Sequence, residues 1–167
     1  MNKKKSASRD GLTIKGMFRV NIVDDPSGKP TIVGDSGWKK NLTTNDGFNQ
    51  YIVRSLGSIT GSKYITHAAI GTGGAPVAAD TTLAGEQSAR AAVTAATTTG
   101  SKTLRITATF ASSDAFVTAT KNISNVGLFN TVTAGAGTLF AGNTYASSAC
   151  ATNQNVNLTY DLIFATA

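Results

Sequence analysis

The sequence predicts an all-β protein: an antiparallel, jelly-roll-like β-sandwich with one short helix and an extended basic N-terminal arm. Several segments of the 167-residue chain alternate apolar and polar side chains, which is the pattern of strands with one buried face. One stretch combines helical spacing of apolar residues with residues that cap helices. Charged residues make up only 14% of a chain rich in Gly, Ala and Thr, which is untypical of disordered or long-helix proteins.

The first predicted element is a strand over residues 12–23. Its apolar side chains would share one face, namely Leu12, Ile14, Phe18, Val20 and Ile22. Turn-forming residues fill positions 24–30, and residues 31–33 can return beside the first strand. We therefore expect residues 1–36 to form a basic N-terminal arm that contains a hairpin, and residues 37–167 to form the β-sandwich domain.

The next predicted element is a helix of about three turns over residues 44–57. Thr44 or Asn45 can cap its N-terminus, and Gly57 can end it. Four apolar residues in this stretch would lie on one face at ordinary α-helical spacing: Phe48, Tyr51, Ile52 and Leu56.

Strands follow the helix to the end of the chain. They are predicted at residues 64–70, 89–99, 103–110, 116–129, 138–145 and 155–164, with a surface loop at 71–76. The alternation is clearest in two of them. Leu104, Ile106, Ala108 and Phe110 should point inward from one, and Val156, Leu158, Tyr160, Leu162 and Phe164 from the other.

The positive charge is concentrated in the first part of the chain. Residues 1–63 contain 11 Lys and Arg against 5 Asp and Glu, whereas residues 64–167 contain 4 of each kind. This asymmetry is typical either of a mobile, solvated terminus or of an arm that binds an acidic surface. Nucleic acid is disfavoured as the partner because the arm lacks interleaved aromatic residues. The candidate partner-binding residues are Lys3, Lys4, Lys5, Arg9, Lys15, Arg19 and Trp38.

The sequence offers no convincing catalytic, metal or cofactor site. The stretch from Gly34 to Gly37 resembles the surroundings of a protease serine, but the single histidine, His67, follows Ser36, and we interpret the stretch as a turn. One histidine and one cysteine, Cys150, cannot supply a zinc site or an internal disulfide. We therefore expect a protein that is not an enzyme, binds no cofactor or metal, and has neither a secretion signal nor a membrane span.

An ordered set of short motifs gives a further indication. WKKNLTTNDG at 38–47, AIGTGGAP at 69–76 and DTTLAGE at 80–86 precede Arg90, and ISNVGLFN at 123–130, GTLFA at 137–141 and the strand at 156–164 follow it. Together they resemble small virion proteins of tailed bacteriophages, over about residues 37–164. Two positions depart from that pattern: Asn125 and Val126 replace a common acidic residue and alanine, and Gly142 and Asn143 stand where arginine is common.

The resemblance implies a non-enzymatic structural protein of the phage particle, made in the cytoplasm of the bacterial host. The expected role is capsid decoration or cementing, with the major capsid protein or another virion protein as the partner. A homo-oligomer, most simply a trimer, is expected because a small disulfide-free domain often gains stability from neighbouring copies. The alternatives are a tail, neck or fibre-attachment component and a receptor- or carbohydrate-binding module.

Overall fold

The computed structural model describes residues 11–25 and 28–166, and nearly all regular structure in them is antiparallel β-sheet. The strands are β1 (Leu12–Asp24), β2 (Thr31–Asp35), β3 (Lys39–Lys40), β4 (Leu42–Thr43), β5 (His67–Gly71), β6 (Ala91–Ala96), β7 (Thr103–Phe110), β8 (Lys121–Phe129), β9 (Leu139–Cys150) and β10 (Asn155–Thr166). One helix of more than a single turn, α1, consists of a π-helical segment (Gly47–Val53) and an α-helical turn (Arg54–Leu56). A 3₁₀ turn (Ser112–Asp114) follows β7. The predicted all-β class with one short helix is confirmed.

The strands form one continuous ladder whose order is β2-β1-β10-β7-β6-β5-β8-β9-β4. Strand β3 pairs with β1, and β4 pairs with β9, although only Asn41 separates β3 from β4. Residues 39–43 therefore connect strands from opposite ends of the ladder. Asn41 strengthens this connection because its Nδ2 donates a 2.7 Å hydrogen bond to the Tyr160 hydroxyl of β10.

Side chains from both halves of the ladder pack into one core. The Phe18 ring on β1 lies 6.2 Å, centroid to centroid, from the Tyr145 ring on β9, although the two strands are far apart in the pairing order. The fully buried Phe110, Phe140 and Leu158 belong to the same cluster. The ladder thus folds back on itself and shields its apolar face from water. A jelly-roll-like sandwich of two separate sheets stays a prediction, since pairing is continuous from β2 to β4.

The alternation predicted for β7 and β10 is confirmed at most positions, but Leu104 and Phe164 are only half-buried, and Asp161 is buried although it lies at an outward position. Along β7, Ile106, Ala108 and Phe110 are buried while Arg105, Thr107 and Thr109 are exposed. Along β10, Val156, Leu158, Tyr160 and Leu162 are buried. The two strands pair with Leu158 opposite Ala108 and Tyr160 opposite Ile106, which places their apolar side chains on the same face.

Helix α1 differs from the predicted helix in its face. Tyr51 is buried, but Phe48 is 45% exposed and Leu56 is 80% exposed. The amide of Arg54 donates to the Asn49 carbonyl, an i→i−5 bond that widens the turn beyond 3.6 residues. Residues chosen at ordinary α-helical spacing therefore do not stay on one side of this helix.

The described part of the predicted N-terminal arm contributes a strand to the core. Strand β1 pairs with β10 from Leu12 opposite Thr166 to Val23 opposite Asn155, and it pairs on its other edge with β2 and β3. Its Phe18, Val20 and Ile22 are buried in the main cluster. The predicted division of the chain at residue 36 stays a prediction, but residues 12–24 are packed with the rest of the fold.

Candidate interaction surface

The predicted partner-binding residues fall into three groups. Lys3, Lys4, Lys5 and Arg9 lie outside the described residues. Lys15 and Trp38 lie on the surface, and 43% of Trp38 is exposed just before β3. Arg19 is engaged within the protein, in an ion pair with Asp35.

The Arg19–Asp35 pair joins β1 to the end of β2. Arg19 Nε donates to Asp35 Oδ1 over 2.9 Å, and its Nη2 contacts the second carboxylate oxygen. The backbone amide of Gly37 also donates to Asp35, over 2.8 Å. Chiefly through the Arg19 hydrogen bond, these contacts hold the pKa of Asp35 well below its usual range. Arg19 is therefore a residue that fixes the turn after β2, with its charge already balanced.

Strand β2 exposes apolar side chains that the sequence reasoning did not select. Ile32 is 58% exposed and Val33 is 54% exposed. In the described residues β2 pairs only with β1, so its other edge carries unpaired backbone groups. We call Ile32, Val33 and Trp38 the β2 edge strip. Two consecutive β-branched residues in a predicted return strand were a usable signal of an exposed apolar side chain. Successive side chains of a strand point to opposite faces, so one of the two must face away from the core.

Lysines flank the β2 edge strip. Lys39 and Lys40 follow Trp38 directly and are exposed, and Lys29 precedes β2. Lys40 lies opposite Met17 on β1, two residues from the exposed Lys15. The surface therefore combines an open strand edge, three exposed apolar side chains and nearby positive charge, which suits an extended or acidic segment of another protein.

The Gly34-Asp35-Ser36-Gly37 stretch is occupied with internal hydrogen bonds. The Ser36 hydroxyl accepts a hydrogen bond from the Val20 amide and donates to the Gly37 carbonyl, both over 2.8 Å. Gly37 has a φ of +61°, a conformation that favours glycine. The predicted turn is therefore confined to Ser36 and Gly37, because Gly34 and Asp35 belong to β2.

The motif residues Glu86 and Arg90 form a buried ion pair. The Arg90 side chain is fully buried, and its guanidinium lies 3.6 Å from the centroid of the Phe129 ring. Its Nη1 donates to the carbonyls of Thr131 and Ala136, each over 3.0 Å. The Gly135 amide donates to Glu86 Oε2 over 3.1 Å. The pair therefore attaches the loop at 130–138 to the segment before β6.

The second motif network centres on Asn125, which is fully buried in β8. Its Nδ2 donates to the Ala84 carbonyl over 2.8 Å and to the Gly74 carbonyl over 3.2 Å. An ionised acidic residue at this position could donate neither bond. A Cβ on Gly71 would lie 2.4 Å from Asn125 Oδ1, so glycine is required for this close contact.

Gly142 and Asn143 of β9 also have a packing role. A Cβ on Gly142 would lie 2.6 Å from the Val126 carbonyl oxygen and 3.1 Å from Pro76 Cγ. The neighbouring Asn143 donates from Nδ2 to the Lys40 carbonyl over 3.0 Å. These two residues thus hold β9 close to β8 and to the segment that joins β3 and β4.

The remaining candidate reactive side chains are those of His67 and Cys150. His67 Nδ1 lies 2.9 Å from Thr66 Oγ1, and burial lowers its pKa. Burial raises the pKa of the Cys150 thiol, which is a free cysteine in the core. Within residues 11–25 and 28–166, no three His, Cys, Asp or Glu side chains lie close enough together to hold a metal ion. In the same residues, no helix has the length and apolar character needed to cross a membrane.

Comparison with known proteins adds no relative: no family model, no curated protein and no solved structure matches this chain.

Proposed function

We propose that this chain is a non-enzymatic structural protein of a tailed-bacteriophage particle, which decorates or cements the outer surface of the capsid. The motif resemblance over residues 37–164 supports this proposal. The contacts of three motif residues also support it, since Asn125, Glu86 and Arg90 bind loops of the chain to one another. A protein whose characteristic residues brace its own loops is suited to a mechanical role.

The observation that carries the proposal is the β2 edge strip. An exposed strand edge with apolar side chains is a site to which an extended segment of another protein can add as a further strand. Ile32 and Val33 lie on that edge, and Trp38 follows it. Aromatic residues are enriched among the side chains that dominate binding at protein interfaces. The partner is the major capsid protein or another protein of the particle.

The test is a binding assay with purified particles that lack this protein. Wild-type protein should bind saturably, and gold-labelled protein should appear over the capsid. Val33→Lys should reduce the affinity about tenfold or more, because it places a charge where an apolar contact is buried, a cost of about 1.4 kcal/mol or more. Val132→Lys is the matched control, since Val132 is 59% exposed in the loop at 130–138 and is not part of the strip.

Three results would contradict the proposal. Absence of binding to any part of the particle would remove the virion role. Label over the tail or neck would replace the capsid assignment with the alternative location. Equal loss of binding in Val33→Lys and Val132→Lys would show that binding does not depend on the β2 edge strip.

A further inference from the structure

A surface pocket lies between helix α1, the segment that follows it, and strands β6, β7, β9 and β10. Its volume is about 450 Å³. Tyr51 from the helix and Phe140, Ile106 and Leu162 from β9, β7 and β10 line it, and all four are buried core residues. The pocket is therefore an opening through which the apolar core can be reached from the surface.

The wall of the pocket is almost entirely apolar. Helix α1 contributes Tyr51, Ile52, Ser55 and Leu56. The Tyr51 hydroxyl is already engaged by the Thr138 carbonyl. Apolar pockets of this size are typical of sites for small organic ligands, because water in them makes few hydrogen bonds and is easily displaced.

Two lysines lie in or near the pocket. The half-buried Lys63 lines the pocket, and its position is fixed by two bonds: its amide donates to the Gln50 carbonyl over 2.9 Å, and its Nζ donates to the Thr138 hydroxyl. Lys102 lines an adjoining depression that shares Leu104 and Phe164 with the pocket. No Asp or Glu is among the described residues that line either one.

We propose that this pocket binds a small anionic amphiphile, an apolar chain that carries a carboxylate or a similar head group. The chain occupies the space above Ile106 and Leu162, and the head group lies at the mouth beside Lys63. The hydrophobic effect supplies most of the affinity, and the lysine selects the sign of the head group. This inference does not depend on the proposed role in the phage particle.

The test is calorimetric titration of the full chain with decanoate, decanol and decylamine, which share a chain length and differ in head-group charge. Decanoate should bind saturably and about tenfold more tightly than decylamine, a difference of about 1.4 kcal/mol. Lys63→Gln should remove most of that preference while both ligands still bind. Bound decanoate should also raise the melting temperature of the wild-type protein.

Two further variants test the location of the site. Ala95 lines the pocket from β6 and is exposed, so Ala95→Trp should fill the space and abolish binding of all three probes. Ala92→Trp is the matched control, because Ala92 is exposed on the same strand but does not line the pocket. If Ala95→Trp does not fold, Ala95→Leu should still weaken binding. Absence of saturable decanoate binding by wild-type protein, or undiminished binding by the folded Ala95 variants, would overturn the proposal.

Discussion

At the residue scale, β10 carries large stabilising contributions in alternate side chains. Leu158 and Leu162 are buried in the core, whereas the intervening Thr159 is half-buried. Leu158→Ala or Leu162→Ala should lower the free energy of unfolding by about 2–5 kcal/mol, since each removes buried apolar surface and leaves a cavity. Asn157→Ala should cost much less, although it removes a hydrogen bond from the Thr109 hydroxyl. Denaturant unfolding measures the free energy of unfolding of these variants. A larger loss of stability in Asn157→Ala than in the leucine variants would contradict the assigned register.

Asn125 is the residue at which a carboxylate should be most damaging. Asn125→Asp would remove the two bonds to the Ala84 and Gly74 carbonyls and would place a charge beside their oxygens. We expect a loss of about 3 kcal/mol or more in the free energy of unfolding, as for other buried polar groups left unsatisfied. Asn153→Asp, in an exposed turn, should be nearly neutral. Equal stability of the two variants would show that the Asn125 amide does not hold these loops.

The Arg19–Asp35 pair predicts a dependence of stability on pH. The folded pKa of Asp35 is lowered, so above about pH 4, the ordinary aspartate range, the pair is charged and contributes fully. As the pH falls further, the unfolded chain binds the proton first, and the contribution is lost as the folded pKa is approached. Asp35→Asn should therefore flatten the decline in stability below pH 4 in acid titrations of unfolding. Asp25→Asn, at the exposed position that follows β1, is the control. If the stability of Asp35→Asn declined below pH 4 as steeply as that of the wild-type protein, the assignment would be contradicted.

At the element scale, the Glu86–Arg90 pair bonds to the loop at 130–138 through Thr131, Gly135 and Ala136. Arg90→Met should lower stability by about 3–5 kcal/mol, because it leaves a buried carboxylate without its partner. It should also speed hydrogen exchange at the Gly135 amide, whose acceptor is Glu86. Arg105→Met removes a more exposed pair on the outer face, with Asp161, and should leave this exchange unchanged. Unaltered exchange in Arg90→Met would mean that the loop is held in another way.

Some elements of the fold could be predicted from the sequence, and others could not. Strands β7 and β10 were predictable because period-two alternation is a local property, and Leu104 to Phe110 shows it without interruption. The close approach of α1 to β9 was not, because a Cβ added to Gly47 would lie 2.0 Å from the Phe140 carbonyl oxygen, and no local pattern reveals that contact. Strands β3 and β4 have two residues each and exist only through their partners on β1 and β9. Trp38 of the β2 edge strip was predicted, but Ile32 and Val33 were missed because their exposure depends on which strand lies beside them.

At the scale of the whole molecule, the placement of β1 changes how the basic terminus should be tested. A deletion that extends into residues 12–24 would remove a core strand and would unfold the protein. Deletion of residues 1–10 removes Lys3, Lys4, Lys5 and Arg9 and leaves every described strand intact. It should weaken binding to particles most at low salt, because exposed charges are screened as ionic strength rises. Identical affinity of the deleted and full chains across a salt series would contradict a binding role for these residues.

The long pairing of β1 with β10 has a consequence for synthesis. Leu12 lies opposite Thr166, so the backbone hydrogen bonds between β1 and β10 can form only after β10 has left the ribosome. Until then β1, which carries Phe18, Val20 and Ile22, lacks the strand that pairs along this edge, and the nascent chain holds an apolar strand edge of the kind that associates with other chains. The ends of the described chain also emerge side by side. Labels attached at Leu12 and at Thr166 would therefore report on the same patch of surface.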